Sequence, residues 1–173
     1  MPEKRELDTL YIHHTSEHVS EVVLNRPKKR NAMNAALFDD LERAFQELDE
    51  RDATRAILLH GEGASFCAGL DLTEAATDFS DLFTPGLARP RLALRRLIRD
   101  LQRKTSSPFR CQKPVVAAIH GWCIGAGLDV VSFCDLRLCS ADAKISLREG
   151  RVGMVEDLGS LQRLPQMIGD AAT

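Results

Sequence analysis

The sequence predicts an α/β domain wound as a spiral of strand–strand–helix units, and three observations carry that reading. Short apolar runs at Leu7–Ile12, His18–Leu24, Ala56–His60 and Val115–Ile119 alternate with amphipathic segments, the longest at Ala35–Asp49, as expected of strands joined through helices. His60-Gly61 followed by Gly69-Leu70-Asp71 is echoed by His120-Gly121 followed by Gly127-Leu128-Asp129. A near-repeat of that kind suggests stacked units rather than one open sheet. The 173 residues suffice for one domain with its own core, or for one domain and part of another. We read 1–173 as one domain.

In chain order, Leu7–Ile12 and His18–Leu24 are expected as two strands joined through His13–Glu17. Asn25-Arg26-Pro27 stops the ladder, because proline lacks a donor, and the basic loop Lys28-Lys29-Arg30-Asn31 follows. Asn34 is a suitable N-cap for a helix over Ala35–Asp49, where Leu37, Phe38, Leu41, Ala44, Phe45 and Leu48 recur on one face. Ala56–His60 is a short strand ended by Gly61-Glu62-Gly63. Thr73–Leu87 is expected to be a mobile loop or frayed helix. Leu92, Leu94, Leu97, Ile98 and Leu101 mark a helix over Pro90–Lys104 whose arginines form a solvated face or a phosphate contact. Val115–Ile119 is a buried strand leading through Gly121, Gly125 and Gly127 into a helix at Leu128–Phe133. A further helix starts at Leu158 and is interrupted by Pro165. The chain then ends at Thr173 with no closing element, as if cut.

Composition excludes several function classes. A net charge of −2 gives no electrostatic case for nucleic acid, and no apolar run approaches the roughly 20 residues that span a bilayer. The charged start Met1-Pro2-Glu3-Lys4-Arg5-Glu6 lacks the apolar stretch of a secretory signal. Cys67, Cys111, Cys123, Cys134 and Cys139 are odd in number and form no C-x-x-C pair, so they read as reduced core thiols. An intracellular protein follows, cytoplasmic or in a mitochondrial or peroxisomal matrix, and not secreted. The histidines show no metal-ligand spacing, no metal is expected, and His60 and His120 read as structural. The G-x-S-x-G elbow, the P-loop and the third glycine of a dinucleotide fingerprint are all missing.

The chemistry concentrates between Pro114 and Gln162. A glycine turn running into a helix start leaves amide N–H groups without intrahelical partners, ready for an oxygen that gains charge. The backbone amides of Leu70 and Ala126, one from each similar turn, would make a two-donor oxyanion hole. Asp129, Glu149 and Asp157 lie close behind in an apolar setting. Three crowded carboxylates cannot all ionise easily, which gives an acid and a base at neutral pH. Blander roles exist for each: first-turn charge complementarity for Asp129, a salt bridge to Arg148 or Arg151 for Glu149, and an N-cap at Leu158 for Asp157. Glu156 is assigned to solvent.

The residues that carry this chemistry also carry a resemblance. They are Leu24-Asn25-Arg26-Pro27 with Arg30-Asn31-Ala32-Met33-Asn34, Phe66-Cys67-Ala68-Gly69-Leu70-Asp71, Lys113–Gly121, Gly125-Ala126-Gly127-Leu128, Cys134-Asp135-Leu136-Arg137 and Gly159–Pro165. Together they resemble the enoyl-CoA hydratase/isomerase (crotonase) superfamily over nearly the whole chain. The resemblance implies a crotonase-like ββα spiral core, acyl-CoA thioester substrates, coenzyme A carried by the substrate with no separate cofactor, and homotrimers or dimers of trimers. It also implies a C-terminal helical trimerisation region, which is missing here. Substrate contacts would come from Arg30, Ala32, Ala68, Gly69, Leu70, Asp71, Leu72 and Gly127, with Arg26–Ala32 near the nucleotide.

Within the superfamily, the triple Asp129, Glu149, Asp157 resembles the Δ3,5-Δ2,4-dienoyl-CoA isomerase branch. By that resemblance Asp157 takes a proton from C2 of a 3,5-dienoyl-CoA, Glu149 delivers one to C6, and Asp129 tunes the pocket. The alternatives are an enoyl-CoA hydratase using Glu149 with Asp129, and a non-catalytic CoA- or RNA-binding scaffold.

Overall fold

The structure, a computed structural model, describes residues 3–78 and 88–170. Its strands are β1 (Lys4–Glu6), β2 (Leu10–His14), β3 (Val19–Leu24), β4 (Ala56–Gly61), β5 (Val115–Ile119), β6 (Trp122–Ile124), β7 (Leu136–Cys139) and β8 (Lys144–Ser146). The helices are α1 (Ala35–Glu50), α2 (Leu72–Asp78), α3 (Ala88–Thr105), α4 (Ser107–Arg110), α5 (Ala126–Ser132) and α6 (Ser160–Ile168). The main sheet runs β1-β2-β3-β4-β5-β7, antiparallel through β3 and parallel beyond it.

A second, smaller layer makes this a spiral. β6 pairs with β8 in parallel, and parallel bridges join Cys67 to Cys123 and Met33 to Leu70. Each turn of the chain therefore passes from a main-sheet strand to a short segment of the second layer and then into a helix. β3 leads through Met33 to α1, β4 through Cys67–Leu70 to α2, and β5 through β6 to α5. The strand–strand–helix repeat expected from the sequence is the architecture observed.

The core forms where hydrophobic periodicity says it should. Leu37, Phe38, Leu41, Ala44, Phe45 and Leu48 on one face of α1 are buried against Leu10, Ile12, Ile57, Leu59 and Val115 from the sheet. Asn34 caps α1, its side-chain oxygen accepting from the Leu37 N–H at 3.0 Å, a contact typically worth about 1 kcal/mol. Burial of these side chains, at roughly 2 kcal/mol each, fixes the platform on which the second layer sits.

Several boundaries differ from the sequence expectation. Leu7–Ile12 is not one strand: Leu7-Asp8-Thr9 is the turn between β1 and β2, held by Asp40 Oδ2, which accepts from Thr9 N–H (2.8 Å) and Oγ1 (2.7 Å). His13 and His14 accordingly belong to β2, not to a connection. α5 starts at Ala126 rather than Leu128. α6 starts at Ser160 and runs through Pro165 to Ile168. Proline forfeits one helix donor there, and the turn closes beyond it through Gly169 N–H to the Pro165 carbonyl at 3.0 Å. The first part of Thr73–Leu87 is helical in α2, and residues 79–87 lie outside the described residues. β7 and β8, four and three residues long, are too short for alternation to announce them.

Candidate active site

The two glycine turns meet, and the second layer registers them. Cys67 N–H donates to the Trp122 carbonyl (2.9 Å) and Ile124 N–H to the Cys67 carbonyl (3.0 Å). Leu70 and Ala126 each stand three residues beyond the paired cysteines, so they are equivalent positions on adjacent segments. The bridge to Met33 uses the Gly69 carbonyl and the Asp71 N–H, which leaves the Leu70 N–H directed away from it. Ala126 is the first residue of α5, whose first ladder bond is Asp129 N–H to the Gly125 carbonyl at 3.0 Å. Its N–H is thus one of the donors that a helix start leaves without a partner.

Glycine is required where the turns touch. A Cβ on Gly127 would lie 2.7 Å from the Cys67 Cβ, inside van der Waals contact. Gly125 has φ of +48°, and a Cβ there would strike Glu149 Oε1, so the Glu149 carboxylate sits directly over this turn. Cys67, Cys123 and Cys134 are buried at its back, and burial pushes the Cys67 and Cys134 thiols up to about 12. These are packing groups, not nucleophiles.

The loop after β3 braces the first turn. Asn31, fully buried, accepts from Arg26 N–H and donates to the carbonyls of Glu62 and Ser65, both at 2.9 Å. Ala68 N–H donates to the Arg30 carbonyl at 2.9 Å, which sets Arg30 and Ala32 beside Ala68–Leu70. Arg26 donates to the Ala32 carbonyl and pairs with Asp71 (3.2 Å) and Glu74 (2.7 Å). The Asp71 side chain is therefore engaged inside the protein. Of the expected substrate contacts, Arg30 and Leu72 are exposed, Ala68 and Leu70 are half-buried, and Ala32, Gly69 and Asp71 are buried, with the Lys28-Lys29-Arg30 run exposed beside them.

Behind the second turn lie the acids. Asp129 is fully buried; its Oδ1 accepts from Ser160 N–H at 2.8 Å. Glu149, on a 3₁₀ turn at Glu149–Val152, accepts from Arg148 N–H at 2.7 Å. Asp129, Glu149 and Glu156 each place a carboxylate oxygen within 4.8 Å of the others. Such a trio can share a proton or ligate a hard divalent cation. Burial pushes Asp129 up, against the opposing effects of the neighbouring Glu156 carboxyl and of Ser160. Burial, with Asp129 and Glu149 alongside, pushes Glu156 up to about 10. Asp157 is half-buried and raised by burial and then by the charge of Asp129, with a smaller contribution from Glu149. Its carbonyl accepts from Gln102 of α3 at 2.6 Å.

Three expectations are corrected here. Glu156 does not face solvent: it is 7% exposed and packs into the acid trio, because the loop descending to α6 turns it toward α5. Asp157 is not an N-cap, since α6 begins two residues later than expected and Gly159 takes that position. Glu149 makes no ion pair with Arg148 or Arg151 among the described residues; it takes a main-chain donor instead. Of the arginines on α3, Arg91, Arg95 and Arg99 line an open groove of ≈ 320 Å³ with Leu94, Ile98 and Gln102, while Arg103 pairs with Glu42 and Asp100. His120 contacts the Gly63 carbonyl at 2.9 Å, a structural role.

A match to the enoyl-CoA hydratase/isomerase family model covers residues 14–173. The chain belongs to that family. Among its relatives, the mitochondrial Δ(3,5)-Δ(2,4)-dienoyl-CoA isomerase of Rattus norvegicus is 42% identical over 165 residues, covering 94% of this chain and 50% of the relative. The peroxisomal Δ(3,5)-Δ(2,4)-dienoyl-CoA isomerase of Arabidopsis thaliana is 40% identical, covering 91% and 57%. A crystal structure of the family's enoyl-CoA hydratase from Bacillus anthracis superposes with a TM-score of 0.81 at 27% identity, covering 95% of this chain and 60% of that one. The chain thus spans about half the length of the curated relatives it matches. Within the family fold, sequence reasoning missed Glu156, Arg26 as the brace of Asp71, and the Ser160 amide on Asp129. Only Arg26 had a sequence signal, as a cation beside a loop that must be held.

Proposed function

We propose that the protein shifts the double bonds of a 3,5-dienoyl-CoA thioester to the 2,4 positions by carboxylate proton transfer, as a step of fatty-acid β-oxidation. The observation that carries this reading is the placement of Glu149 over the Gly125 turn, with Asp157 in the same electrostatic field as Asp129. The thioester oxygen would accept from the Leu70 and Ala126 amides, each donor contributing about 3 kcal/mol to the enolate-like transition state. Asp157, as the base, takes the C2 proton. Electron density moves along the conjugated chain, and Glu149, as the acid, protonates C6. Asp129, buried behind the second turn, tunes the pocket.

Coenzyme A arrives on the substrate and no separate cofactor is needed. The exposed basic run Lys28-Lys29-Arg30 supports a nucleotide end near that loop. Exposed Leu136 and Leu138 on edge strand β7 and Ile145 on β8 support association with further copies in a trimer or a dimer of trimers. The names of the rat and Arabidopsis relatives support a mitochondrial or peroxisomal matrix location. No helix among the described residues is long and apolar enough to cross a membrane.

The test is conversion of 3,5-dienoyl-CoA to the 2,4-dienoyl product, followed by ultraviolet absorbance on the full-length protein. Asp157→Asn should abolish it, and an active variant would refute the assigned base. Rapid hydration of crotonyl-CoA by the wild type would instead favour a hydratase using Glu149 with Asp129, the reading favoured by the Bacillus anthracis likeness.

A further inference from the structure

The acid side holds one carboxyl that the proposed reaction does not use. Glu156 is 7% exposed, on the loop between the 3₁₀ turn and α6, with an oxygen within 4.8 Å of oxygens of both Asp129 and Glu149. Main-chain amides orient those two neighbours, Ser160 N–H on Asp129 Oδ1 and Arg148 N–H on Glu149 Oε2. No such donor reaches the rest of the trio: Glu156 Oε2 and Asp129 Oδ2 are buried and unpartnered among the described residues. The charged groups acting on Glu156 are Asp129 from α5 and Glu149 from the 3₁₀ turn, both acids. A trio of acceptors that lacks a donor needs either a proton or a cation. A neutral carboxylic acid supplies the donor from within.

We propose that Glu156 is a positioning residue of this site, a neutral acid whose O–H hydrogen-bonds to its carboxylate neighbours and steadies Glu149 over the Gly125 turn. This rests on the isomerase reading above. When Glu149 gives its proton to substrate carbon it becomes a carboxylate. Glu156 then donates a hydrogen bond to that carboxylate and keeps its own proton, so the step balances without a further co-reactant. A hydrogen bond to the carboxylate left behind stabilises the product side of the transfer and so speeds proton delivery. Glu156 therefore acts on the reaction through Glu149.

Two variants of the full-length protein separate this role from simple packing. Glu156→Gln retains an N–H donor and the same shape; Glu156→Ala removes both. With 3,5-dienoyl-CoA, E156A should lower kcat about tenfold with KM little changed, and move the alkaline limb of the kcat profile up by about one pH unit. E156Q should restore most of kcat and the wild-type limb. Infrared difference spectra at neutral pH should contain a buried protonated-carboxyl band in the wild type that both variants lose. The spectra require no turnover: a band lost in E156Q from a protein that fails to isomerise would sustain the neutral acid while sinking the isomerase reading. Equal impairment of E156Q and E156A with an unshifted pH profile would overturn the proposal. So would a band untouched by E156Q, or Mn²⁺ raising the melting temperature of the wild type but not of E156Q, which would make the trio a cation site.

Discussion

Gly69-Leu70-Asp71 and Gly127-Leu128-Asp129 are the same tripeptide in two successive turns of the spiral, and their aspartates live in opposite fields. Asp71 faces Arg26 at 3.2 Å and Lys29 at 3.8 Å, and its Oδ1 accepts from Glu74 N–H at 3.3 Å. Burial alone would raise it, but the Glu74 amide, Lys29 and Arg26 outweigh burial and hold its carboxyl below the usual range. Asp129 is equally buried but faces Glu149 and Glu156, and is raised. The tripeptide is extended in the first turn, with Gly69 at φ +93° and Leu70 bridged to Met33, and helical in the second, within α5. The segment that folds over each differs as well: a basic loop from the amino-terminal side for Asp71, an acidic loop from the carboxyl-terminal side for Asp129. The first aspartate is a brace, and the second sits among the acids of the proposed site.

The comparison can be broken hardest where the two turns touch. In Gly127→Ala the new Cβ must displace Cys67, whose Cβ lies 2.7 Å away in the core. The Ala126 amide then moves relative to Leu70. Isomerase kcat should fall about 10²–10³-fold, the loss typical of one oxyanion donor, while circular dichroism stays near wild type. Undiminished turnover would mean that the twin turns do not share an oxygen.

The aspartates themselves come next. Asp71→Ala removes one of the two carboxylates on Arg26, leaves Glu74 as its remaining partner, frees the Glu74 N–H, and should cost about 1–2 kcal/mol in urea unfolding. Asp129→Asn should behave the other way. Its amide keeps an oxygen for Ser160 N–H and brings a donor to Glu149 and Glu156, so stability should hold or rise by about 1 kcal/mol while turnover drops. Equal destabilisation by the two substitutions would erase the distinction between brace and site.

The smallest effect is in pH dependence. Glu156 binds its proton far more tightly folded, about 10 against 4.5 unfolded. Its contribution to stability is complete below 4.5 and is lost as pH rises toward about 10. Melting temperature should therefore decline between about pH 7 and 8.5 more steeply in the wild type than in E156Q. The variant is the reference because the raised cysteine thiols tilt both proteins alike. Parallel slopes would show that Glu156 is not the residue holding the proton.

Much of this architecture was legible beforehand, for physical reasons that individual residues display. α1 announced itself through an apolar face of helical period and the Asn34 cap, and β5 through a short apolar run closed by glycine. The paired turns were visible because close backbone approach leaves glycine in the sequence. The register between them was less so. Textual similarity aligns Leu70 with Leu128, whereas the bridge of Cys67 to Cys123 makes Leu70 equivalent to Ala126, the pair proposed as oxyanion donors. Glu156 was illegible: in Val155-Glu156-Asp157-Leu158 no period says which acid turns inward, and only packing of that loop against α5 decides it. Likewise Asp71 and Asp129 differ through partners 45 and 27 residues away, Arg26 and Glu156, which no local pattern encodes.

Isomerisation in D₂O tests the division of labour between the two ends of the site most directly. The wild type should place deuterium at C6 of the 2,4-dienoyl product. Glu149→Gln should form almost no product yet still wash the C2 hydrogen out of recovered 3,5-dienoyl-CoA, and Asp157→Asn should do neither. Product from Glu149→Gln carrying deuterium at C6, or C2 exchange surviving in Asp157→Asn, would contradict the account.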